Sequence, residues 1–314
     1  MKVGLVLPLF SGDAARVLSF AQRAEELGYD GVFAFDHFFP PGAGPDRPSL
    51  EAFATLSAVA SVTSRVAVGT LVARAQLRPA GLLAKTAANV DQLSGGRMIL
   101  GLGTGDPIDE PEHRAFGIKS LGKAERRAHL AETVQATKAL FRGEPWGGGA
   151  HVPAIRGPVL PPTATGGPPV WIGGLSDEVV HLAGRFADGW NGWGLEPARF
   201  ARKAAILREE GASREAAAEP TWAGIALVGR DQEEATELLH ARRTRGMPDT
   251  GIFVGGAEAF AEHLRGIENA GAGWAILVPA GPRDRVELIA ETVLAAGGRE
   301  GAAAVPPTGA DRKS

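Results

Sequence analysis

The sequence predicts an α/β protein whose eight parallel strands close into a (β/α)₈ barrel, the TIM-barrel architecture. Short apolar runs alternate with longer stretches of helical periodicity along most of the chain, which is typical of a parallel sheet covered by helices. Eight such pairs can be counted, the number at which a parallel sheet closes and has no edges. A doubly wound open sheet is the alternative, but its Gly-x-Gly-x-x-Gly fingerprint is missing after the first strand, at Pro8–Gly12.

The first half of the chain contains four regular units. The predicted strands span residues 3–10, 31–35, 65–72 and 98–102, and the predicted helices span residues 14–27, 50–62, 80–93 and 124–141. Gly28 follows the first predicted helix, and a glycine in this position typically ends a helix. A Pro- and Gly-rich loop, residues 39–49, follows the second strand, and loops in this position often carry function.

The period is lost between residues 143 and 169, which are dense in Gly and Pro. We interpret this segment as an insertion after the fourth helix, within a single barrel domain of residues 1–296. The pattern then resumes with strands at residues 170–172, 188–193, 221–228 and 274–278 and helices at 177–186, 197–210 and 283–294, with one longer helical region from the seventh strand through Arg265. Residues 297–314 are predicted to form a flexible tail.

Composition excludes several classes of protein. The chain has 314 residues, 44% of them hydrophobic, which is enough to bury a large core. Its formal net charge of −3 argues against partners such as nucleic acid or an anionic membrane. The absence of cysteine excludes disulfides, thiolate catalysis and cysteine-bound metal clusters. The first apolar run is too short to span a membrane and has no signal-cleavage pattern, so a cytoplasmic protein is predicted.

The functional face of such a barrel lies at the carboxyl ends of its strands. His37 follows the second strand, and imidazole is the side chain most easily tuned to move a proton near neutral pH. A histidine that only closes the loop is the alternative. Asp36 beside it could orient the imidazole or bind a ligand, but an aspartate at a strand end also commonly starts a loop.

Two glycine-containing loops have similar alternatives. Gly173–Ser176 precedes a predicted helix, so its amides could bind a phosphate, or Ser176 or Asp177 could simply cap the helix. The glycines of Gly101–Gly105 could let a flat ring lie against the backbone, or could relieve crowding at the barrel rim. Neither loop has the Gly-Lys-Ser/Thr of a P-loop.

The remaining histidines are scattered without the spacing of metal ligands, and no metal site is predicted. Arg74 follows the third strand. It could meet an acidic cofactor tail, but it is expected to be a solvated surface charge. No Gly-x-Ser-x-Gly nucleophile elbow is present. The residues alone therefore predict a barrel enzyme with a phosphate-bearing ligand.

Six fragments, in this order along nearly the whole chain, resemble the bacterial luciferase-like monooxygenase superfamily. They are EELGYDGVFAFDH (25–37), TSRVAVGT (63–70), DQLSGGR (91–97), GLGTG (101–105), WIGG (171–174) and ADGWN (187–191). Asp36-His37-Phe38 and Gly103-Thr104-Gly105-Asp106 are most similar to the actinobacterial oxidoreductases that use the deazaflavin coenzyme F420.

The resemblance implies an F420-dependent oxidoreductase that transfers a hydride between deazaflavin C5 and a small organic substrate. The alternative within the superfamily is a monooxygenase that uses reduced flavin mononucleotide (FMN) and oxygen. A non-catalytic barrel that binds the cofactor is a further alternative. The resemblance also implies a homodimer with a small molecule as partner, while the net charge argues against nucleic acid and membrane.

The resemblance assigns roles to individual residues. His37 would be the catalytic group in proton transfer, and Asp36 would touch the cofactor ring. Leu71 and Val72 would form a cis peptide bond that supports the ring. Gly105 and Asp106 would border the ring and its side chain, but relatives often have Glu where this chain has Asp106, whose shorter reach argues against a direct acid–base role. The phosphate would be held by Gly173, Gly174, Leu175 and Ser176.

Overall fold

Eight parallel strands close into a barrel in the computed structural model, which describes residues 1–41, 44–47, 49–157, 166–247 and 249–294. The barrel strands are β1 (Lys2–Val6), β2 (Gly31–Ala34), β3 (Ala67–Thr70), β5 (Met98–Gly103), β6 (Val170–Gly173), β7 (Gly189–Trp193), β8 (Glu219–Gly229) and β10 (Trp274–Pro279), with the short β4 (Ala73–Arg74) beside β5. Strand β10 pairs with both β1 and β8, which closes the sheet. The predicted (β/α)₈ barrel is confirmed.

Helices cover the outside of the barrel, apart from the short α4, which lies over its mouth. The helices of the described residues are α1 (Ala14–Glu26), α2 (Ala52–Val62), α3 (Ala80–Ser94), α4 (Glu110–Ala115), α5 (Lys123–Phe141), α6 (Asp177–Phe186), α7 (Pro197–Glu210), α8 (Gln232–Thr244), α9 (Ala257–Asn269) and α10 (Arg285–Val293). Aspartate side chains cap the first turns of some helices: Asp13 accepts a hydrogen bond from the amide of Arg16, and Asp231 accepts one from the amide of Glu234. In the described part of the chain, no helix combines the length and the apolar composition that a membrane crossing requires.

The lumen of the barrel is filled by large aromatic side chains set against glycines. The ring of Phe33 stacks at 6.0 Å on Trp171 and meets Trp274 edge-on at 5.6 Å. A Cβ atom at Gly4 or at Gly69 would lie 2.7 Å from the Phe33 ring, so these two strands need glycine where the ring passes. The aromatic filling makes the barrel a packed core rather than a pore, so a ligand of the barrel would bind at the strand ends.

Two predicted elements are wrong in extent, and one observed helix has no predicted counterpart. The first strand ends at Val6, and Leu9–Ser11 form a 3₁₀ turn. The region predicted as one long helix after the seventh strand is interrupted by β9 (Ile252–Gly256), which pairs with the outer half of the eleven-residue β8. The apolar run of β9 cannot be distinguished from a helix segment by periodicity, and the unpaired edge of β8 decides its conformation. Helix α4 was not predicted at all.

The Gly- and Pro-rich segment lies only partly within the described residues. An antiparallel bridge joins Trp146 to Ile155, and both side chains pack near Val152 against helices α3 and α5. Residues 158–165 and the predicted tail at 297–314 lie outside the described residues. The extent of the insertion and the single-domain boundary stay predictions.

Candidate active site

The floor of the barrel mouth is aromatic. Phe35 follows β2, and its ring lies 6.0 Å from that of Trp193, at the end of β7. Strands β2 and β7 are four positions apart in the eight-membered ring, so this contact crosses the lumen. The ring of Phe10 stacks on Phe35 at 6.1 Å, and His37 lies beside both, with ring centroids 6.3 and 6.4 Å away. A flat ligand at the mouth would therefore meet apolar faces with one imidazole at their edge.

His37 is held by a buried carboxylate. Its Nδ1 lies 2.7 Å from Oε1 of Glu112, which is on α4. The other oxygen, Oε2, accepts hydrogen bonds from the amide of Phe38 at 2.6 Å and from Nη2 of Arg74 at 2.9 Å. The side chain of Glu112 is 1% exposed, whereas that of His37 is 20% exposed. The carboxylate is thus fixed from inside the protein while the imidazole reaches the mouth.

The hydrogen bonds also determine the charge of Glu112. Burial raises its pKa, but the hydrogen bonds from His37 and from the amide of Phe38, together with the charge of Arg74, outweigh burial and leave the pKa below its ordinary value. Glu112 is therefore a carboxylate at neutral pH.

Arg74 is a buried member of this cluster, so the expectation of a solvated charge is wrong. It is 4% exposed, and its guanidinium lies over the ring of Phe38 at 5.3 Å. Nη1 of Arg74 and Oδ1 of Asp109 are 3.6 Å apart, and both atoms are buried without a hydrogen-bond partner. The position of Arg74 after a strand end does not distinguish it from a surface arginine. Helix α4 and the residue before it pack over Arg74 and provide its partners.

Asp36 has a structural role that the sequence left open. Its Oδ2 accepts hydrogen bonds from Nη1 of Arg78 at 2.7 Å and from the amide of Arg74 at 3.1 Å, and its Oδ1 accepts one from Nη2 of Arg78 at 2.9 Å. The carboxylate joins the loops after β2 and β4 from a buried position. Its contact with a cofactor ring stays a prediction.

The predicted cis peptide bond between Leu71 and Val72 is present. The Val72 side chain occupies a space left by glycines. A Cβ atom at Gly103 would lie 2.6 Å from its Cγ2, and one at Gly173 would lie 2.8 Å from its Cγ1. Of the alternatives for the Gly101–Gly105 loop, the structure shows relief of crowding at Gly103, because a side chain rather than open space lies against it.

Gly105 and Asp106 form the turn after β5. Gly105 has a φ of +72°, which favours glycine. The side chain of Asp106 is exposed, and its Oδ1 accepts a hydrogen bond from the amide of Ile108 at 3.3 Å, while its own amide donates to Asp109. Its carboxylate therefore bonds within its own loop, and the acidic group beside His37 is Glu112.

The loop after β6 begins helix α6. Ser176 is its N-cap and accepts a weak hydrogen bond from the amide of Val179 at 3.4 Å, as the capping alternative predicted. Gly174 has a φ of +154°, and Leu175 is exposed. The first-turn acids are paired, Asp177 with Lys203 and Glu178 with Arg127. Capping and anion binding are compatible here, because further amides of the first turn remain at the helix start.

His37, Asp109 and Glu112 present ligand atoms within 4.8 Å of one another, a spacing that could suit a metal ion. The guanidinium of Arg74 already lies against both carboxylates and balances part of their charge. A divalent cation would have to share this buried space with a fixed positive charge, which is unfavourable. We therefore interpret the cluster as a hydrogen-bonded ionic network.

Sequence reasoning missed Asp109 and Glu112. They lie between the fourth predicted strand and the fourth predicted helix, where the sequence pattern predicts no element. Asp109, Pro111 and the acidic residues around Pro111 are a helix-start signal that predicts α4. No signal in the sequence pairs them with His37.

A family model described as luciferase-like monooxygenase matches residues 1–299. The chain belongs to this family. The chain is therefore a member of a family of oxidoreductases. It is 31% identical, over 79% of its length and 68% of the relative, to an F420-dependent hydroxymycolic acid dehydrogenase of Mycobacterium tuberculosis. It is 28% identical, over 63% of its length, to an F420-dependent glucose-6-phosphate dehydrogenase of Microbacterium testaceum, of which it spans 58%.

A solved structure has the same fold as this luciferase-like chain. It is an F420-dependent secondary alcohol dehydrogenase in complex with an F420–acetone adduct, with a TM-score of 0.79 and 19% identity. The match covers 94% of this chain and 98% of the other. At this identity the likeness supports the barrel architecture.

Proposed function

We propose that this luciferase-like chain is an F420-dependent oxidoreductase that transfers a hydride between deazaflavin C5 and a small organic substrate, with His37 as the proton partner. The observation that carries the proposal is the placement of His37: a half-buried imidazole, anchored through Nδ1, stands at the edge of an aromatic floor at the barrel mouth. The relatives named as F420-dependent dehydrogenases support the choice of cofactor.

The residues present fit a flat anionic cofactor. Phe35 and Trp193 provide apolar faces, and Val72 provides a further apolar surface above Gly103 and Gly173. Gly105 and Asp106 would border the ring. The loop Gly173–Ser176 would hold the phosphate with amides at the start of α6, where the partial positive charge of the helix favours an anion. When bound, the deazaflavin supplies a hydride donor or acceptor at C5.

The protein's own residues would bind and orient the substrate, and His37 would move the proton. Because Glu112 engages Nδ1, Nε2 is the nitrogen of His37 that is available to a substrate. In the oxidation of an alcohol, Nε2 takes the hydroxyl proton, and in the reverse reaction it returns a proton to the carbonyl oxygen. The apolar rings around it exclude water from the reacting carbon.

Titration of the purified apoprotein with F420 and, separately, with FMN tests the proposal. We expect saturable binding of F420, seen as heat in calorimetry and as quenching of tryptophan fluorescence, and a loss of F420 absorbance when an alcohol substrate is added. Binding of FMN without F420 would favour the monooxygenase alternative. Binding of F420 with no redox change across a broad panel of alcohols, ketones and sugar phosphates would favour a non-catalytic barrel, and no binding of either cofactor would reject all three.

A further inference from the structure

We infer that Glu112 is the positioning residue of His37: it fixes the ring proton on Nδ1 and leaves the Nε2 lone pair free at the barrel mouth. The turnover part of this inference rests on the proposed function, while the position of the ring proton does not. The acidic residue that the family resemblance pointed to, Asp106, is exposed and bonds within its own loop. Glu112, from a helix that the sequence pattern missed, is the carboxylate in contact with the imidazole.

The hydrogen bonds that Glu112 accepts determine the tautomer of His37. An ionised carboxylate only accepts hydrogen bonds, so the 2.7 Å contact with Nδ1 requires a proton on Nδ1. The second oxygen is already bonded by the Phe38 amide and by Nη2 of Arg74, which are both obligatory donors. These two donors hold the carboxylate in one orientation. In a neutral ring, Nε2 is then the unprotonated nitrogen.

The charges of the cluster act in the same direction. Two carboxylates, Glu112 and Asp109, face one guanidinium, Arg74, which leaves one formal negative charge beside the ring. Oδ1 of Asp109 is 3.7 Å from Nδ1 of His37. At this distance it interacts with the ring electrostatically and does not form a hydrogen bond. When Nε2 takes a proton, this buried charge stabilises the imidazolium that forms, as the buried aspartate does in a catalytic triad.

Glu112→Gln is nearly isosteric, but it would exchange the donor and acceptor roles in the hydrogen bond to Nδ1 of His37. Its single carbonyl oxygen would turn toward the two donors, the Phe38 amide and Arg74, because an NH₂ group there would face donors only. The NH₂ group would then lie against Nδ1, which must become the acceptor, and the ring proton would move to Nε2. We therefore expect the reversed tautomer of His37 in Glu112→Gln, with the unprotonated nitrogen on the side away from the mouth.

Nitrogen NMR of the histidine-labelled apoprotein tests this directly. The chain has seven histidines, and the His37 signals are assigned by their loss in His37→Ala. The pH is raised until the ring is neutral. We expect Nδ1 to be protonated in the wild type and Nε2 to be protonated in Glu112→Gln. The control, Glu110→Gln, removes a carboxylate from the same helix that bonds Ser120 and has no contact with His37, and should keep the wild-type pattern.

Turnover with F420 gives the second readout. Glu112→Gln should lower kcat by at least about tenfold while the dissociation constant of F420 and the substrate KM change little. If Glu112→Gln does not fold, the wild-type tautomer by itself tests the inference. A wild-type ring protonated on Nε2, or a Glu112→Gln ring that keeps the wild-type pattern, would overturn the inference. If F420 does not bind but the tautomers are as expected, the proposed function fails and this inference stands.

Discussion

The ring of Phe35 lies 6.0 Å from the ring of Trp193 across the lumen, so that one aromatic contact closes the floor of the barrel mouth between opposite strands. Below it, Phe33 and its two tryptophan neighbours fill the lumen. A ligand can therefore enter only to the depth of the upper pair, and its flat face would rest on that pair.

Phe35→Leu should weaken cofactor binding without loss of the fold. Leucine keeps the apolar character of the site but removes the flat face, and an aromatic contact contributes about 0.5–1.5 kcal/mol beyond burial, or roughly two- to twelvefold in the dissociation constant. Calorimetric titration with F420 measures it. Phe260→Leu, which changes an aromatic pair with Phe253 outside the lumen, is the matched control and should leave the dissociation constant unchanged. Equal affinities for wild type and Phe35→Leu would contradict a ring stacked on this floor.

His37→Ala should reduce turnover by about 10²- to 10⁴-fold, the usual contribution of a positioned proton donor or acceptor, while F420 affinity stays within several-fold. The reason is that His37 touches the mouth at its edge and is not part of its floor. Steady-state kinetics and cofactor titration on the same preparation separate the two effects. Turnover equal to that of the wild type would reject the proton role.

Gly103→Ala should destabilise the protein through Val72. The added Cβ atom would lie 2.6 Å from Cγ2 of Val72, and overpacking of this kind costs about 1–3 kcal/mol of unfolding free energy. Val72→Ala in the same chain should restore part of that loss, because it removes the atom that clashes. Urea denaturation of the two single variants and the double variant measures the coupling.

Gly147→Ala is the control for this cycle, since a Cβ atom there meets no described atom within 4 Å. We expect it to leave the urea midpoint close to that of the wild type. Strictly additive effects of Gly103→Ala and Val72→Ala would show that Val72 does not occupy the glycine space.

Glu112 should make stability depend on pH in the acid range. Its pKa in the folded protein lies below the ordinary value of 4.5, so the unfolded chain takes up the proton first as the pH falls. The stabilisation is therefore complete above the unfolded value and is lost as the pH falls through the folded one. Glu112→Gln lacks this group, so wild type and variant should differ most in urea midpoint near neutral pH and converge in acid. A difference that is the same at every pH would count against the assignment.

The sequence by itself determined the alternation of strands and helices, the closed barrel and the position of His37 after the second strand, because periodicity and strand-end position are local properties of the chain. It also offered Ser176, with Asp177, as a candidate cap of the following helix for the same reason, and Ser176 is the cap. The run at β9 was misread, since a short apolar run is equally compatible with helix and strand until a neighbouring edge is known.

Only the tertiary structure decided which groups surround His37. Glu112 is 75 residues away along the chain and reaches it only because β2 and β5 lie two positions apart in a closed ring, with α4 folded over the mouth. The burial of Arg74 and the fit of Val72 into the space beside Gly103 likewise depend on neighbours distant in sequence. Hydrogen bonds and steric contacts are made between atoms close in space, and the spacing of residues along one chain does not specify which distant side chains meet.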